Sequence, residues 1–382
     1  MKQSRTNYVI ISDFNIRSNN RGTAALGYGA IGFLLKNNYI DDSFQLIKYS
    51  FYRNPFRKHK PSVQELEIGG RKWNYHIIPV WLGERWLSKF KMHFVPSLYN
   101  HTIRNVKLVA AINGGDGLTD IYGEELLNSR LPEMEFAIEN DIPFIVLPQT
   151  IGPFHDANQK KKIINILKRA EKIYVRDTTF VAELEKNQLD FEKVNDLSYY
   201  MLPEPFEIDI KHKCVGVNVS GLAFSNRFGN LVGQFDNYPK LMTEIVRMFQ
   251  QKGCYVYIIP HSYNVEIPEL NNDDMQASIE FYEKLEDKKN VFFVRDNLIS
   301  PQIKYLISQM DFFIGTRMHA NFAAIFTGTP VFGLAYSYKF KGAFENNGIY
   351  NRTYDINNLQ SEQLAEVLSA IENAYHEDLK EK

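Results

Sequence analysis

DFFIGTRMHANFAAIFTGTPVFGLAYSY, residues 311–338, packs a strand, a helix and a second strand into one run. Asp311 to Ile314 reads as the end of a buried strand. Gly315 and Thr316 turn the chain, and an apolar helix runs through Ala320, Phe322, Ala323, Ala324, Ile325 and Phe326. Gly328, Thr329 and Pro330 stop that helix, and Val331 to Leu334 form the next strand. Arg317 and His319 stand at the junction. A helix start presents unpaired N–H groups and the positive end of its dipole, so a guanidinium and an imidazole there mark a pocket for phosphate or carboxylate. An arginine so placed can equally pair with a nearby acid, and a histidine can cap or fill. The carboxyl end of a strand, where open α/β sheets bind their ligands, favours the anion pocket.

Outward from this run, short apolar strands alternate with helical patterns over almost the whole chain, the signature of parallel α/β architecture. Strands are expected over Tyr8–Ser12, Phe44–Tyr49, Tyr75–Pro79, Lys107–Asn113, Pro143–Pro148 and Lys172–Val175. Helices fall between them, over Thr23–Lys36, Glu84–Lys91, Glu133–Asn140, Gln159–Arg169 and Thr178–Lys186. The stretch Asp196–Glu207, with Pro203 and Pro205, reads as an extended linker. After it the pattern restarts: strands Cys214–Val219, Tyr255–Pro260 and Val291–Val294, helices Pro239–Gln251, Asp274–Leu285 and Pro301–Gln309, and a last helix Ser361–His376. We expect two Rossmann-like domains, 1–202 and 203–382, with parallel sheets facing a central cleft, the GT-B-like arrangement.

A length of 382 residues is too much for one typical core. With 44% hydrophobic and 23% charged residues the composition is ordinary for a globular protein. A net charge of -1 excludes a chain-wide nucleic-acid footprint, so anion binding is local. Cys214 and Cys254, each beside an expected strand, read as small buried hydrophobes of a reduced compartment. The amino terminus lacks a signal-peptide run, because Asp13 interrupts it, and no stretch approaches a spanning helix. A cytoplasmic location is expected.

Three further strand ends of the first domain carry polar groups. The loop Ala111-Ile112-Asn113-Gly114-Gly115-Asp116-Gly117 lets backbone approach a ligand closely, with Asn113 and Asp116 as handles. It has neither P-loop nor dinucleotide spacing. Gln149 ends a second strand and is able to donate to a sugar hydroxyl or a carboxylate. Arg176 ends a third and is placed to be the second cation a dianionic ligand needs; the alternative is an internal pair with Asp177 or a neighbouring acid. The loop with Asn20 opens the first helix and is either a ligand-binding helix start or simply a turn. No metal-ligand spacing, GxSxG elbow or cysteine nucleophile in a convincing setting is present, and no metal or cofactor is expected.

In the order INGGDGL, QTIGP, VRD and GTRMHANFAAIFTGTPVFGLAYSYKFKG, the chain resembles the polysaccharide pyruvyl transferase family. The resemblance covers nearly the whole chain, with the last block the most specific and residues 40–105 the least. The family's glycine-rich loop often carries a third glycine or a serine where Asp116 stands. The resemblance implies a GT-B-like enzyme that transfers pyruvate from phosphoenolpyruvate to two hydroxyls of a sugar, as a cyclic ketal, in a cell-surface, capsular or exopolysaccharide precursor. By the family pattern Arg176, Arg317 and His319 match donor-site residues. Arg317 and Arg176 would hold phosphate and carboxylate, His319 would be the general acid, and Lys339 would add a third positive contact. The donor is phosphoenolpyruvate itself, with no other cofactor.

Two other readings share the fold: a nucleotide-sugar glycosyltransferase, for which Asp311 and Glu345 are weak ribose-binding candidates, and a non-catalytic glycan-binding relative. The acceptor is expected on a lipid carrier at the inner membrane face. Aromatic and basic residues between Tyr49 and Lys60, Arg53, Arg57 and Lys58 among them, then read either as a peripheral contact patch or as a solvated loop.

Overall fold

The computed structural model describes residues 6–54, 56, 59–89, 97–336 and 338–381. The chain divides into two compact units, the first built from Met1–Asn15 and Leu26–Met201, the second from Ile16–Ala25 and Leu202–Lys382. The segment Ile16–Ala25, Asn20 included, therefore belongs with the second unit, whereas the sequence reading counted it with residues 1–202. The reason is local: Tyr263 donates its N–H to the Asn19 carbonyl, Asn20 bridges to Ser262, and the Ser300 hydroxyl donates to the Arg21 carbonyl.

The first unit carries strands β1 (Asn7–Ile11), β2 (Phe44–Tyr52), β3 (Ser62–Ile68), β4 (Arg71–Trp81), β5 (Val106–Ala111), β6 (Phe144–Gln149), β7 (Lys172–Val175) and β8 (Glu192–Lys193). They form one sheet in the order β3-β4-β2-β1-β5-β6-β7-β8. Every pair is parallel except β3 with β4. That hairpin, absent from the sequence reading, turns at Gly69 and Gly70, both at positive φ (61° and 73°), as a two-residue turn between twisted strands requires. Ser62–Ile68 alternates covered and solvated side chains, as an antiparallel edge strand does, and lacks the continuous apolar run of its parallel neighbours.

The second unit carries β9 (Cys214–Val217), β10 (Tyr255–Ile258), β11 (Val291–Phe293), β12 (Phe312–Gly315), β13 (Val331–Ala335) and β14 (Thr353–Asp355). All pairs are parallel, in the order β11-β10-β9-β12-β13-β14. Counted from β9 this is the 3-2-1-4-5-6 order of a dinucleotide-binding fold, whose order reverses between β9 and β12. The sheet is buried on both faces. Val215, Val217, Phe312 and Ile314 pack into one cluster, while Cys214 and Phe313 face another. Successive side chains of one strand thus feed opposite layers, and for this reason FFIG contains no polar residue. Both cysteines are buried and free, as expected.

The stretch read as a linker is ordered at its start. Asp196 caps the short 3₁₀ turn Leu197–Tyr200 and is 3% exposed, and the first unit ends only at Met201. Proline spacing conveyed the break but not this buried turn, whose cause is the arginine Asp196 holds.

Candidate functional site

In the second unit, the chain leaves β12 through Gly315 and Thr316 and enters the Met318–Thr327 helix with Arg317 as its N-cap residue. The turn is fixed by polar groups of β9's carboxyl end. The fully buried Thr316 hydroxyl donates to the Asn218 carbonyl at 3.1 Å and shares a 2.8 Å hydrogen bond with the Tyr238 hydroxyl. The Arg317 N–H donates to Asn218 Oδ1 at 2.9 Å. Asn218 and Arg317 therefore follow the two strands that flank the reversal of strand order, the usual ligand position in such sheets.

The Arg317 side chain is held by the first residue of the Asp274–Lys284 helix. Its Nε and Nη2 donate to Asp274 Oδ1 at 3.0 and 2.7 Å, and Nη2 also reaches Asn272. Asp274 is completely buried and further accepts from Gly221 N, Asn218 Nδ2, His261 N and Ser262 N. One carboxylate thus ties together the loops after β9, β10 and β12. Burial opposes the charge on Arg317, but Asp274 and Tyr336 outweigh it, so its pKa stands above the ordinary arginine value.

Around this pair the charge is positive. His261, buried just beyond β10, has its pKa held well below the usual histidine range, first by burial and then by His319, Arg317 and Arg21. Its ring is therefore neutral. Arg21 is 9% exposed, donates to Ser18 O and Asn297 Oδ1, and lies 4.6 Å from the centre of the Tyr263 ring. His319 occupies the first turn of its helix, half-buried, edge-on to Phe322 with ring centres 5.7 Å apart. Its ring lies against Gly22, where an added Cβ would come within 2.6 Å of His319 Nδ1. Only glycine permits that approach. Asn20 accepts from Gly22 N and Thr23 N and so caps the Arg21–Lys36 helix beside the imidazole.

The first-unit candidates form a separate network. Asn113, Gly114 and Gly115 make a 3₁₀ turn after β5, with Asn113 Nδ2 donating to Arg130 O. Gln149 is fully buried, and its Nε2 donates to Ala111 O, Asn113 Oδ1 and Leu147 O, which holds the loop against the sheet. Arg176, its side chain 7% exposed, donates from Nη1 to Asp196 at 2.9 Å and from Nε to Thr150 at 3.0 Å. Burial disfavours its charge, but Asp196, Asp116 and Asp177 prevail and raise its pKa. Asp116 also accepts from the Tyr122 hydroxyl. The internal pairing that was the alternative for Arg176 is the arrangement present. Lys339 lies in the Tyr338–Asn346 helix, but its side chain falls outside the described residues.

Sequence reading missed Arg21, His261 and Asp274. His261 follows an expected strand by one residue, so the rule that singled out Arg317 would have found it. Asp274 had only the double acid of a helix start as its signal.

Two Rossmann-like α/β units, one with an anion-suited strand-end cluster, define a protein of the GT-B-like class. The chain belongs to the polysaccharide pyruvyl transferase family, whose sequence model matches residues 20–338. That membership makes it a relative of transferases. It is 20% identical over 279 residues to the amylovoran biosynthesis protein AmsJ of Erwinia amylovora; the match spans 69% of this chain and 65% of that protein. In fold it is similar to a putative UDP-N-acetylglucosamine 2-epimerase of Listeria monocytogenes, with a TM-score of 0.54, 9% identity, and 97% of this chain and 90% of that one covered. The UDP-GlcNAc 2-epimerase of Neisseria meningitidis, solved with UDP-GlcNAc, gives a TM-score of 0.50 at 9% identity, covering 97% and 93%. No described helix is long and apolar enough to cross a membrane.

Proposed function

We propose that this protein transfers the pyruvyl group of phosphoenolpyruvate to two hydroxyls of a saccharide as a cyclic ketal, with the donor bound at the second unit's strand-end cluster. The observation that carries this reading is the surplus of cationic groups around the fold's strand-order reversal. Arg317 pairs with the buried Asp274, and the charges of Arg317, Arg21 and His319 all bear on the neutral His261 beside it. Phosphoenolpyruvate carries a phosphate and a carboxylate, and such a surplus suits it.

The chemistry assigns the roles. A proton delivered to C3 of the enol leaves C2 oxocarbenium-like, and one sugar hydroxyl adds there, giving up its own proton in place of the one consumed. Inorganic phosphate then departs with the C2–O bond electrons, and the second hydroxyl closes the ring, releasing its proton. His319 is the general acid, since an imidazole exchanges protons near neutral pH and this one sits beside the cluster on a helix start. Arg317, oriented by Asp274, stabilises the departing phosphate. His261, kept neutral, offers hydrogen bonds without further charge. Phosphoenolpyruvate supplies the pyruvyl group, so no other cofactor enters this reading. The acceptor is a polysaccharide precursor on a lipid carrier at the inner membrane face. Of the basic residues of the expected contact patch, Arg53 and Lys60 are solvent-exposed, while Arg57 and Lys58 lie outside the described residues.

Incubation of the purified protein with phosphoenolpyruvate and a panel of lipid-linked and nucleoside-linked saccharides tests the reading. Phosphate release matched by the mass gain of one pyruvyl ketal is expected. Turnover with a nucleotide sugar alone would replace it with glycosyl transfer.

A further inference from the structure

The half-buried arginines of this chain are matched by acids: Arg85, Arg130, Arg176, Arg317 and Arg352 each hold a carboxylate within 3.2 Å. Arg21, only 9% exposed, pairs with none among the described residues. Its Nη1 and Nη2 donate to the neutral Ser18 O and Asn297 Oδ1 at 2.9 and 2.8 Å, and its Nε has no hydrogen-bond partner. We propose that Arg21 is the second cation of the donor site, taking the carboxylate of phosphoenolpyruvate while Arg317 and the helix start behind it take the phosphate. The inference rests on the proposed reading and adds to it the residue that selects a donor with two anionic groups.

A charge taken out of water and held by neutral groups alone costs stability until an opposite charge joins it. The fold nevertheless fixes Arg21 in that state. Its segment, Ile16–Ala25, is pinned to the second unit by the Tyr263 N–H on Asn19 O at 3.1 Å and by the Ser300 hydroxyl on Arg21 O at 2.7 Å. The Tyr263 ring covers the guanidinium 4.6 Å from its centre, while the phenol is committed to backbone groups of Asp296 and Leu298. Asp296, the acid beside Asn297 in the chain, is exposed and makes no ion pair with Arg21. The place is that of the cluster already described: the next residue, Gly22, lies against the His319 ring, and the Arg21 charge acts on His261.

The two arginines suit different anions. Arg317 stands at the start of the Met318–Thr327 helix, and a phosphate, with oxygens on several sides, draws on that helix start as well as on the guanidinium. Arg21 also opens a helix, but there the Gly22 and Thr23 N–H groups already donate to Asn20 Oδ1, so the guanidinium is what remains to offer. A carboxylate has its two oxygens in one plane and matches that planar fork. The second cation that the sequence reading sought in Arg176 is thus supplied from the loop after β1.

Calorimetric titration of the full chain with phosphoenolpyruvate and, separately, with inorganic phosphate tests the assignment. Arg21→Gln should weaken phosphoenolpyruvate binding about tenfold or more and phosphate binding much less. Asn297→Asp gives Arg21 the acid it lacks without removing the guanidinium. It should leave the melting temperature unchanged or raised and still weaken phosphoenolpyruvate binding, so the test stands even if Arg21→Gln fails to fold. Phosphoenolpyruvate affinity unchanged in the folded variants overturns the inference, and so does an equal loss of both anions in Arg21→Gln, which would make Arg21 a general attractor of charge. In both cases the unmodified protein binds phosphoenolpyruvate and the donor reading survives. An unmodified protein that binds no phosphoenolpyruvate overturns the donor reading and the role of Arg21 with it.

Discussion

Arg176 and Arg317 occupy matching places, each just beyond a buried parallel strand, each with its guanidinium largely out of water and bonded to a carboxylate. Their surroundings differ. Arg176 has Asp196, Asp177 and Asp116 about it, so its neighbourhood is acidic on balance. Arg317 has Asp274 as its acid, and its charge joins those of Arg21 and His319 in acting on His261. A cation at a strand end is therefore not in itself an anion site. What matters is the local sum, which among the described residues is acidic about Arg176 and positive about His261.

The largest expected effect bears on the positive side of that contrast. His319→Gln keeps a polar side chain of similar reach but cannot deliver a proton. Turnover should fall by roughly 10²–10⁴-fold while phosphoenolpyruvate affinity changes much less. Steady-state kinetics together with calorimetric titration separate the two. Equal losses in both would make His319 an anion ligand, and full activity would discard the mechanism.

Arg176→Ala probes the acidic side. Removing one partner of a buried pair leaves Asp196 charged and unmatched, which costs about 3–5 kcal/mol of stability. Phosphoenolpyruvate affinity should stay unchanged. Chemical denaturation and calorimetry check this, and a loss of donor affinity in folded protein would return Arg176 to the donor site.

Arg317→Lys sharpens the contrast. Lysine preserves charge but not the fork that reaches Asp274 and Asn272 together, so the cluster keeps its sum and loses its geometry. Donor affinity should weaken by about 1.5–3 kcal/mol, the worth of a hydrogen bond to a charged group. Unchanged affinity on titration would mean that charge alone attracts the donor.

How far these environments were legible follows from their chain separations. The strand-turn-helix of residues 311–338 was readable because its signals are local: an apolar run, a glycine turn, a helical period and a Gly-Thr-Pro stop. Arg317 and His319 came with it. Asp274 lies 43 positions before Arg317, and nothing in either segment announces the pairing. Asp196 lies 20 positions beyond Arg176, inside a stretch whose prolines suggested a bare linker. The strand β3 was lost to its half-polar pattern. Elements set by periodicity were visible; charge balance, which depends on which loops the topology brings together, was not.

The smallest effect concerns the neutral histidine at the centre of the positive cluster. Burial and the charges of His319, Arg317 and Arg21 keep His261 unprotonated in the folded chain, well below its unfolded value of 6.5. A group whose folded pKa is depressed contributes stability that is present above the unfolded pKa and lost as pH falls, because there the unfolded chain binds a proton the folded one refuses. Between pH 6.5 and 5.5 this single residue should remove about 1 kcal/mol. Urea unfolding of the protein and of His261→Asn at both pH values isolates the contribution, since asparagine has no proton to gain. If the two lose stability equally over that interval, His261 is not held neutral, and the positive sum that distinguishes Arg317's surroundings from Arg176's is smaller than the structure implies.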